Sequence, residues 1–268
     1  MHKGVNVRVV VVQISSGQDA DRNMAHLEAM LSQVEQADLI ALPEVVLTRG
    51  GPDDYRRAAL PLPNAAIERL AACAAERNAW LQAGTVIESD GACTYNTALL
   101  FDRSGRIAAT YRKIHLFEAF LDDGTHIRES DYYQAGTNPV TVNVEGWRTG
   151  LSVCYDIRFP ELYRHYASAG AELFLVPADF TQRTGRDHWS VLLRARAIEN
   201  QAFVVAANQC GTNTVSGVTS YGHSMIVDPW GEILNEAGED EDIITAELTR
   251  ERLDAVRQRV PALQHRVL

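Results

Sequence analysis

Thr149-Gly-Leu-Ser-Val-Cys-Tyr-Asp-Ile-Arg-Phe-Pro-Glu161 is an apolar stretch that ends on a thiol and passes at once into polar residues. A nucleophile is displayed in this way at a strand end: the apolar run is buried in a sheet, and the next residue stands at its rim. Pro160 suits the first turn of a helix running toward Ala169, and Gly170 suits its end, so Cys154 falls at a strand-to-helix turn. The attacking species is the thiolate, which needs a neighbouring base or positive charge. Helix-dipole assistance fades within about one turn. Most of the activation must therefore come from charged side chains supplied elsewhere in the chain.

Two segments offer such partners. Asp38-Leu-Ile-Ala-Leu-Pro-Glu44 is an apolar strand-like run that delivers one carboxylate just past a proline, and Tyr111-Arg-Lys-Ile-His-Leu-Phe117 carries Lys113 after the β-prone residues 107–111. Three strand ends thus present a carboxylate, an ammonium and a thiol. His115 and His188 invite a competing Cys–His reading. We read His115 as a packing or hydrogen-bonding residue, and His188 as capping or packing at the start of a helix that carries Val191, Leu192, Ala195 and Ile198.

Around these segments, strands and helices alternate. Residues 5–14 form a β-branched run suited to a buried strand, and Met24, Leu27, Leu31 and Val34 recur at helical spacing. Asn64 is placed to cap a helix running to Arg77, with Ile67, Leu70, Ala71 and Ala74 inward. Residues 80–88 and 94–101 read as strands. Asp102-Arg-Ser-Gly105 and Asp228-Pro-Trp-Gly231 read as hairpin turns. Asp38-Leu-Ile-Ala-Leu-Pro43 echoes Glu172-Leu-Phe-Leu-Val-Pro177, and a hairpin turn follows each at a similar distance. The pattern predicts an α/β fold of two pseudo-repeated halves, with sheets joined through their inner faces and helices outside.

The 268 residues carry a net charge of -10 and a pI near 5.3. That balance gives no footprint for nucleic acid or an anionic membrane, and favours small-molecule chemistry. No linker or low-complexity stretch divides the chain, so residues 1–268 are expected to form one domain. Neither a charged-then-apolar leader nor a run long enough to span a bilayer is evident, which suggests a cytoplasmic protein. Cys73, Cys93, Cys154 and Cys210 are scattered, without the spacing of a zinc site or a disulfide framework.

Together, Leu-Pro-Glu44, Lys113 within Tyr-Arg-Lys-Ile-His-Leu-Phe, and Cys154 within Cys-Tyr-Asp-Ile-Arg-Phe-Pro-Glu resemble the three signatures of the nitrilase superfamily of carbon-nitrogen hydrolases, in order and in separation. Phe180-Thr-Gln-Arg-Thr-Gly185 and Arg194-Ala-Arg-Ala-Ile-Glu-Asn-Gln201 extend the resemblance over nearly the whole chain. It implies an αββα sandwich, at least a homodimer, and no cofactor or metal. It also implies roles for individual residues: Glu44 as general base, Cys154 as nucleophile, and Lys113 with the backbone N–H of Tyr155 as oxyanion donors. Glu129, in Ile-Arg-Glu-Ser130, matches a second glutamate that positions the lysine and substrate. The preceding Glu118-Ala-Phe-Leu-Asp-Asp-Gly-Thr-His126 departs from the family's acidic-Pro-Gly wording.

Within the superfamily, Cys-Tyr-Asp-Ile-Arg-Phe-Pro-Glu resembles the branch of deaminated glutathione amidases and ω-amidases. In the ω-amidases the arginine matching Arg158 binds a substrate carboxylate, and Phe180 and Thr184 match pocket positions. The Arg158 guanidinium equally suits an ion pair with Asp156 or Glu161. Arg49, Arg56 and Arg57, beside the expected pocket mouth, either favour an anionic substrate or sit in water. The reading implied is hydrolysis of a small carboxylate-bearing primary amide to acid plus ammonia through a thioester, most like deaminated glutathione amidase. The alternatives are an ω-amidase acting on α-ketoglutaramate, an N-carbamoyl amino acid amidohydrolase, and, of another class, a non-catalytic interaction protein with the same fold.

Overall fold

A computed structural model describes residues 5–120 and 126–267. The first sheet grows from β1 (Val7–Gln13), whose burial follows the two-residue period of a strand. Val7, Val9 and Val11 face the second sheet, while Val10 and Val12 face helices. Beside β1 lie β2 (Leu39–Ala41) and β3 (Trp80–Asp90), both parallel to it, then β4 (Cys93–Phe101) and β5 (Ile107–Arg112), antiparallel. On its other edge β14 (Asp242–Leu248) pairs antiparallel. Parallel neighbours need crossovers. These are α1 (Ala20–Leu31) before β2, then α2 (Pro52–Ala58) and α3 (Ala65–Arg77) before β3. Met24, Leu27, Leu31, Ile67 and Leu70 of these helices cover the outer face.

The second sheet repeats this plan. It contains β8 (Thr141–Val144), β9 (Trp147–Leu151), β10 (Leu173–Ala178), β11 (Phe203–Asn208), β12 (Met225–Val227) and β13 (Ile233–Glu236). Its crossovers are α4 (Pro160–Ser168) and α5 (Gln182–Asn200), and α6 (Arg250–Arg259) follows β14. From β8 to β13 the pairings run antiparallel, parallel, parallel, antiparallel, antiparallel, and from β14 through β1 to β5 they run the same way. The expected echo is therefore structural: β2 corresponds to β10, and the β4–β5 turn to the β12–β13 turn. The two sheets meet through one continuous apolar cluster with helices outside, an αββα sandwich. A small hairpin of β6 (Glu118–Phe120) and β7 (His126–Arg128) stands apart from both sheets, and residues 121–125 of the divergent segment lie outside the described residues.

Three expectations need correction. The strand before Glu44 is only three residues long and stops at Ala41. Helix α1 ends at Leu31, so Val34 lies beyond it. Helix α5 begins at Gln182, and His188 sits inside it. Its inward positions are Trp189, Leu193 and Ala197, while Val191 and Ile198 are 66% and 49% exposed. The i, i+4, i+8 row set by the large Trp189 ring, whose Nε1 donates to the His223 carbonyl at 2.8 Å, fixes the helix rotation.

The short β2 matters for the site because the Leu42–Glu44 segment beyond it is shaped by backbone contact. Gly84 in β3 has φ +61°, at a register shift between Gln82 and Thr85, and a Cβ there would lie 1.8 Å from the Pro43 carbonyl oxygen. Only glycine lets Pro43 and Glu44 approach the sheet this closely. Gly84→Ala is expected to cost more than about 2 kcal/mol of stability. A denaturant midpoint equal to that of the unaltered protein would count against this account of the Pro43 contact.

Candidate active site

The residues singled out from the sequence converge where the strands end. β10 is parallel to β9, and β5, antiparallel to β4, runs with β2 and β3, so Glu44, Lys113 and the segment after β10 all lie just past carboxyl ends. That rim is where open α/β sheets hold ligands.

At the centre is the Lys113 ammonium, 1% exposed, 3.0 Å from Glu44 Oε1 and 2.9 Å from Glu129 Oε1. The remaining carboxylate valences are filled. Asn96 Nδ2 donates to Glu44 Oε1 at 2.7 Å, the Asp179 backbone N–H donates to Glu44 Oε2 at 2.9 Å, and the Phe117 N–H donates to Glu129 Oε2 at 2.7 Å. Burial works to lower the Lys113 pKa, but the charges of Glu129 and Glu44 outweigh it and hold the ammonium well above its ordinary value. Burial pushes the Glu129 carboxyl up, against the pull of Lys113.

Cys154 opens a 3₁₀ turn, Cys154–Arg158, in the loop between β9 and α4. Its φ of +46° is a conformation that non-glycine residues rarely take, and such strain persists where surrounding contacts over-determine it. Asp156, fully buried, supplies those contacts. Its Oδ2 accepts from the Val153 N–H at 2.8 Å and the Tyr111 hydroxyl at 2.7 Å, and its Oδ1 accepts from the His115 N–H at 3.0 Å while pairing with His115 Nδ1 at 2.7 Å. The His115 ring stacks on Phe159 at 3.6 Å. His115 therefore packs and hydrogen-bonds, as expected, and braces the Cys154 turn. Cys154 is 7% exposed, and burial, reinforced by the charge of Glu44, raises its pKa well above the ordinary thiol value against the opposing pull of Lys113.

Around these groups a cavity of about 400 Å³ is lined by Glu44, Lys113, Glu129, Cys154, Tyr155 and Arg158, with Phe180 and Thr184 on its wall. All eight candidate site residues are thus brought to one place. Among the described residues, five lysine and arginine side chains line it. Arg49 pairs with Asp179, Arg56 with Asp53, Arg128 with Glu118 and Asp131, and Lys113 with the two glutamates. Arg158, among the described residues, has no carboxylate within ion-pair distance. Its contacts are His188 Nδ1 at 3.2 Å and the ring faces of Phe180 and Tyr155 at 5.0 and 5.7 Å. Asp156 and Glu161 are not its partners.

Sequence reasoning passed over several groups. Asn96 and Asp179 both hold Glu44, and neither carries a signal beyond its place near a strand end. Helix α2 was signalled by Gly51-Pro-Asp-Asp54, with proline at the first turn and acids after it. It places Tyr55 against Tyr132 and Tyr133, at 5.4 and 5.8 Å between ring centres, as an aromatic wall of the cavity. Arg49 is neither a free anion ligand nor solvated: it is 1% exposed and fully engaged with protein groups. Arg57 reaches Asp54. Among the described residues no group of three or more His, Cys, Asp or Glu side chains is arranged to hold a metal ion, and no helix is long and apolar enough to cross a membrane.

A buried thiol beside a buried carboxylate and ammonium, on the wall of a cavity, is suited to acyl transfer. The chain belongs to the carbon-nitrogen hydrolase family, which matches residues 8–258. It is 38% identical over 263 residues to a deaminated glutathione amidase of Synechocystis sp. (strain PCC 6803), with 96% of each chain covered. It is likewise 38% identical over 271 residues to a 2-oxoglutaramate amidase of Paenarthrobacter nicotinovorans, covering 98% of this chain and 89% of that one. The crystal structure of the C. elegans NitFhit protein superposes with a TM-score of 0.92 at 35% identity, covering 100% of this chain and 66% of that longer one. The fold is that of the nitrilase superfamily, and the chain is an amide-hydrolysing enzyme.

Because Lys113 is a cation that lowers the Cys154 pKa against the effect of burial, Lys113→Met should slow alkylation of Cys154 by iodoacetamide at pH 7. In the unaltered protein the alkylation rate should climb with pH through and beyond the ordinary thiol range. A plateau below pH 8 would contradict the raised pKa.

Proposed function

We propose that the protein hydrolyses a small carboxylate-bearing amide of the deaminated glutathione type through a Cys154 thioester. Glu44 takes the thiol proton as sulfur attacks the carbonyl carbon, and the oxyanion is held by Lys113 Nζ and the Tyr155 N–H. When the tetrahedral intermediate collapses, Glu44 returns the proton to the departing nitrogen. Water, deprotonated by the same carboxylate, then attacks the thioester and frees the acid and the thiol. Glu129 keeps Lys113 in place. Removing one oxyanion donor is expected to cost about 3 kcal/mol of barrier, roughly a hundredfold in rate.

The observation that carries the substrate class is Arg158, the cavity-lining cation that has no carboxylate partner among the described residues. Its planar fork suits a bidentate hold on a substrate carboxylate, with Phe180 and Thr184 beside it. Deaminated glutathione is a secondary amide, so for this substrate the expectation of a primary amide and ammonia is corrected: the leaving group is the amine of cysteinylglycine. α-Ketoglutaramate, the second reading, is a primary amide that releases ammonia. The equal identity to relatives named for each keeps this second reading open.

The same reading takes residues 1–268 as one hydrolase domain, supported by the apolar cluster shared between the sheets. It places the enzyme in the cytoplasm, supported by four unpaired cysteines. It also makes the enzyme a homodimer, supported by exposed Val191, Ile198 and Trp230.

Both amides yield 2-oxoglutarate, so its release can be followed for each in parallel. Deaminated glutathione should show the higher kcat/KM, Cys154→Ala should show no turnover while folding normally, and Arg158→Met should lose about a hundredfold in kcat/KM. A preference for α-ketoglutaramate would move the enzyme to the ω-amidases. Turnover of neither amide would sink the substrate assignment and turn attention to N-carbamoyl amino acids. An undiminished Arg158→Met would remove its carboxylate role.

A further inference from the structure

Arg49 is a buried cation on the cavity wall that the proposed chemistry does not use. Its side chain is 1% exposed, so its charge must be met by protein groups. Nε–H donates to Asp179 Oδ2 at 3.0 Å, Nη1 to the Cys210 carbonyl at 3.0 Å, and Nη2 to the Gly211 carbonyl at 3.2 Å and to Ser220 Oγ at 2.5 Å. The Ser220 hydroxyl in turn donates to the other Asp179 carboxylate oxygen. Both oxygens of Asp179 are therefore gripped from one side. A guanidinium with this set of partners has little left to offer a substrate anion.

A buried ion pair is poor evidence of stabilisation in itself, since an apolar replacement is often as stable. What the pair fixes is more informative. The backbone N–H of Asp179 donates to Glu44 Oε2 at 2.9 Å, on a cavity wall that Asp179 and Glu44 share with Cys154, where that N–H favours the thiolate against the effect of burial. The opposite side of this contact is also pinned: Gln209 Nε2 donates to the Glu44 carbonyl at 2.9 Å, and the Gln209 N–H to the Ala178 carbonyl at 2.9 Å. Arg49 itself is tied at its backbone N–H to the Gly17 carbonyl at 2.8 Å. The clamp thus spans the loop after β2, the end of β10 and the segment after β11.

We propose that Arg49 is a positioning residue for acyl transfer: by clamping the Asp179 carboxylate it fixes the Asp179 peptide N–H against Glu44 and Cys154, and it does not hold the substrate. The proposal rests on the reading of Cys154 as nucleophile and Glu44 as its base.

The test uses the full chain carrying Arg49→Gln, Arg49→Lys, Asp179→Asn, or Arg49→Gln with Asp179→Asn. Two readouts are taken: the pH profile of Cys154 alkylation by iodoacetamide, which needs no knowledge of the substrate, and kcat and KM on whichever amide is turned over. Arg49→Gln should move the alkylation profile to higher pH and lower kcat by about a hundredfold, the scale of a misplacement of about 1 Å, with KM nearly unchanged. Arg49→Lys should recover part of that loss. Because Arg49 acts through Asp179, the double variant should be no worse than Asp179→Asn alone. If Arg49→Gln does not fold, Arg49→Lys and the double variant, which removes both charges, carry the comparison. A raised KM with kcat intact would make Arg49 a substrate ligand and overturn the proposal. A folded Arg49→Gln with an unmoved alkylation profile would reduce it to a loop brace. Absence of turnover on any amide, with the profile still shifted, would fault the substrate reading and leave this one standing.

Discussion

The buried Lys113 ammonium, caught between Glu44 and Glu129, is the constraint around which the rest of the molecule is arranged. Three ionised groups out of water are tolerable only if every one of them is paired and hydrogen-bonded, because the desolvation of a carboxylate or ammonium costs several kcal/mol. The structure meets that demand with groups from four separate places: Asn96 on β4, the Asp179 N–H after β10, the Phe117 N–H after β5, and Glu129 beyond the β6–β7 hairpin. No single supersecondary unit could bring these together. Two pseudo-repeated sheets packed face to face can, since their strand ends open onto a common rim.

A second consequence arises from packing. Glu44 must stand close to the sheet for its oxygens to reach Lys113 and Asn96, and the Gly84 contact with Pro43 sets that height. Cys154 must stand clear of its own strand, and Asp156 holds its left-handed backbone by collecting donors from Val153, Tyr111 and His115. Tyr111 lies near the end of β5, the strand that delivers Lys113. One fully buried carboxylate therefore ties the thiol-bearing turn to the ammonium-bearing strand.

Much of this was legible in the sequence, for physical reasons. An apolar run ending on a charged or nucleophilic residue is visible locally, so Glu44, Lys113 and Cys154 stood out, and hairpin turns with Asp, Pro and Gly gave the pseudo-repeat. The orientation of α5 was not legible, because Val191 and Ile198 satisfy a helical period as well as Leu193 and Ala197 do, and only tertiary packing of Trp189 decides between them. Asp179 and Asn96 were also hidden, and Arg49, placed at the pocket mouth, gave no sign of its partners. Their importance lies in whom they meet 52 to 171 residues away along the chain, which no local pattern records. Asp156 was read as a possible partner of Arg158, whereas its place in the 3₁₀ turn aims it inward, away from that guanidinium.

The electrostatics also bear on how the proposed chemistry would start. If Lys113 dominated its surroundings, the thiol would rest as a thiolate in an ion pair, as in enzymes with strongly depressed cysteine pKa values. Here burial and the charge of Glu44 outweigh Lys113, and the resting sulfur keeps its proton. A neutral thiol is a weak nucleophile, so proton removal and attack must go together, and the base has to be in place when the carbonyl arrives. That is a reason for Glu44 to be held at both oxygens by Asn96, Lys113 and the Asp179 N–H, rather than left to find its geometry after substrate enters. In the proposed chemistry the ammonium, relieved of activating the sulfur in the resting state, would act where negative charge appears later, on the carbonyl oxygen of the tetrahedral intermediate.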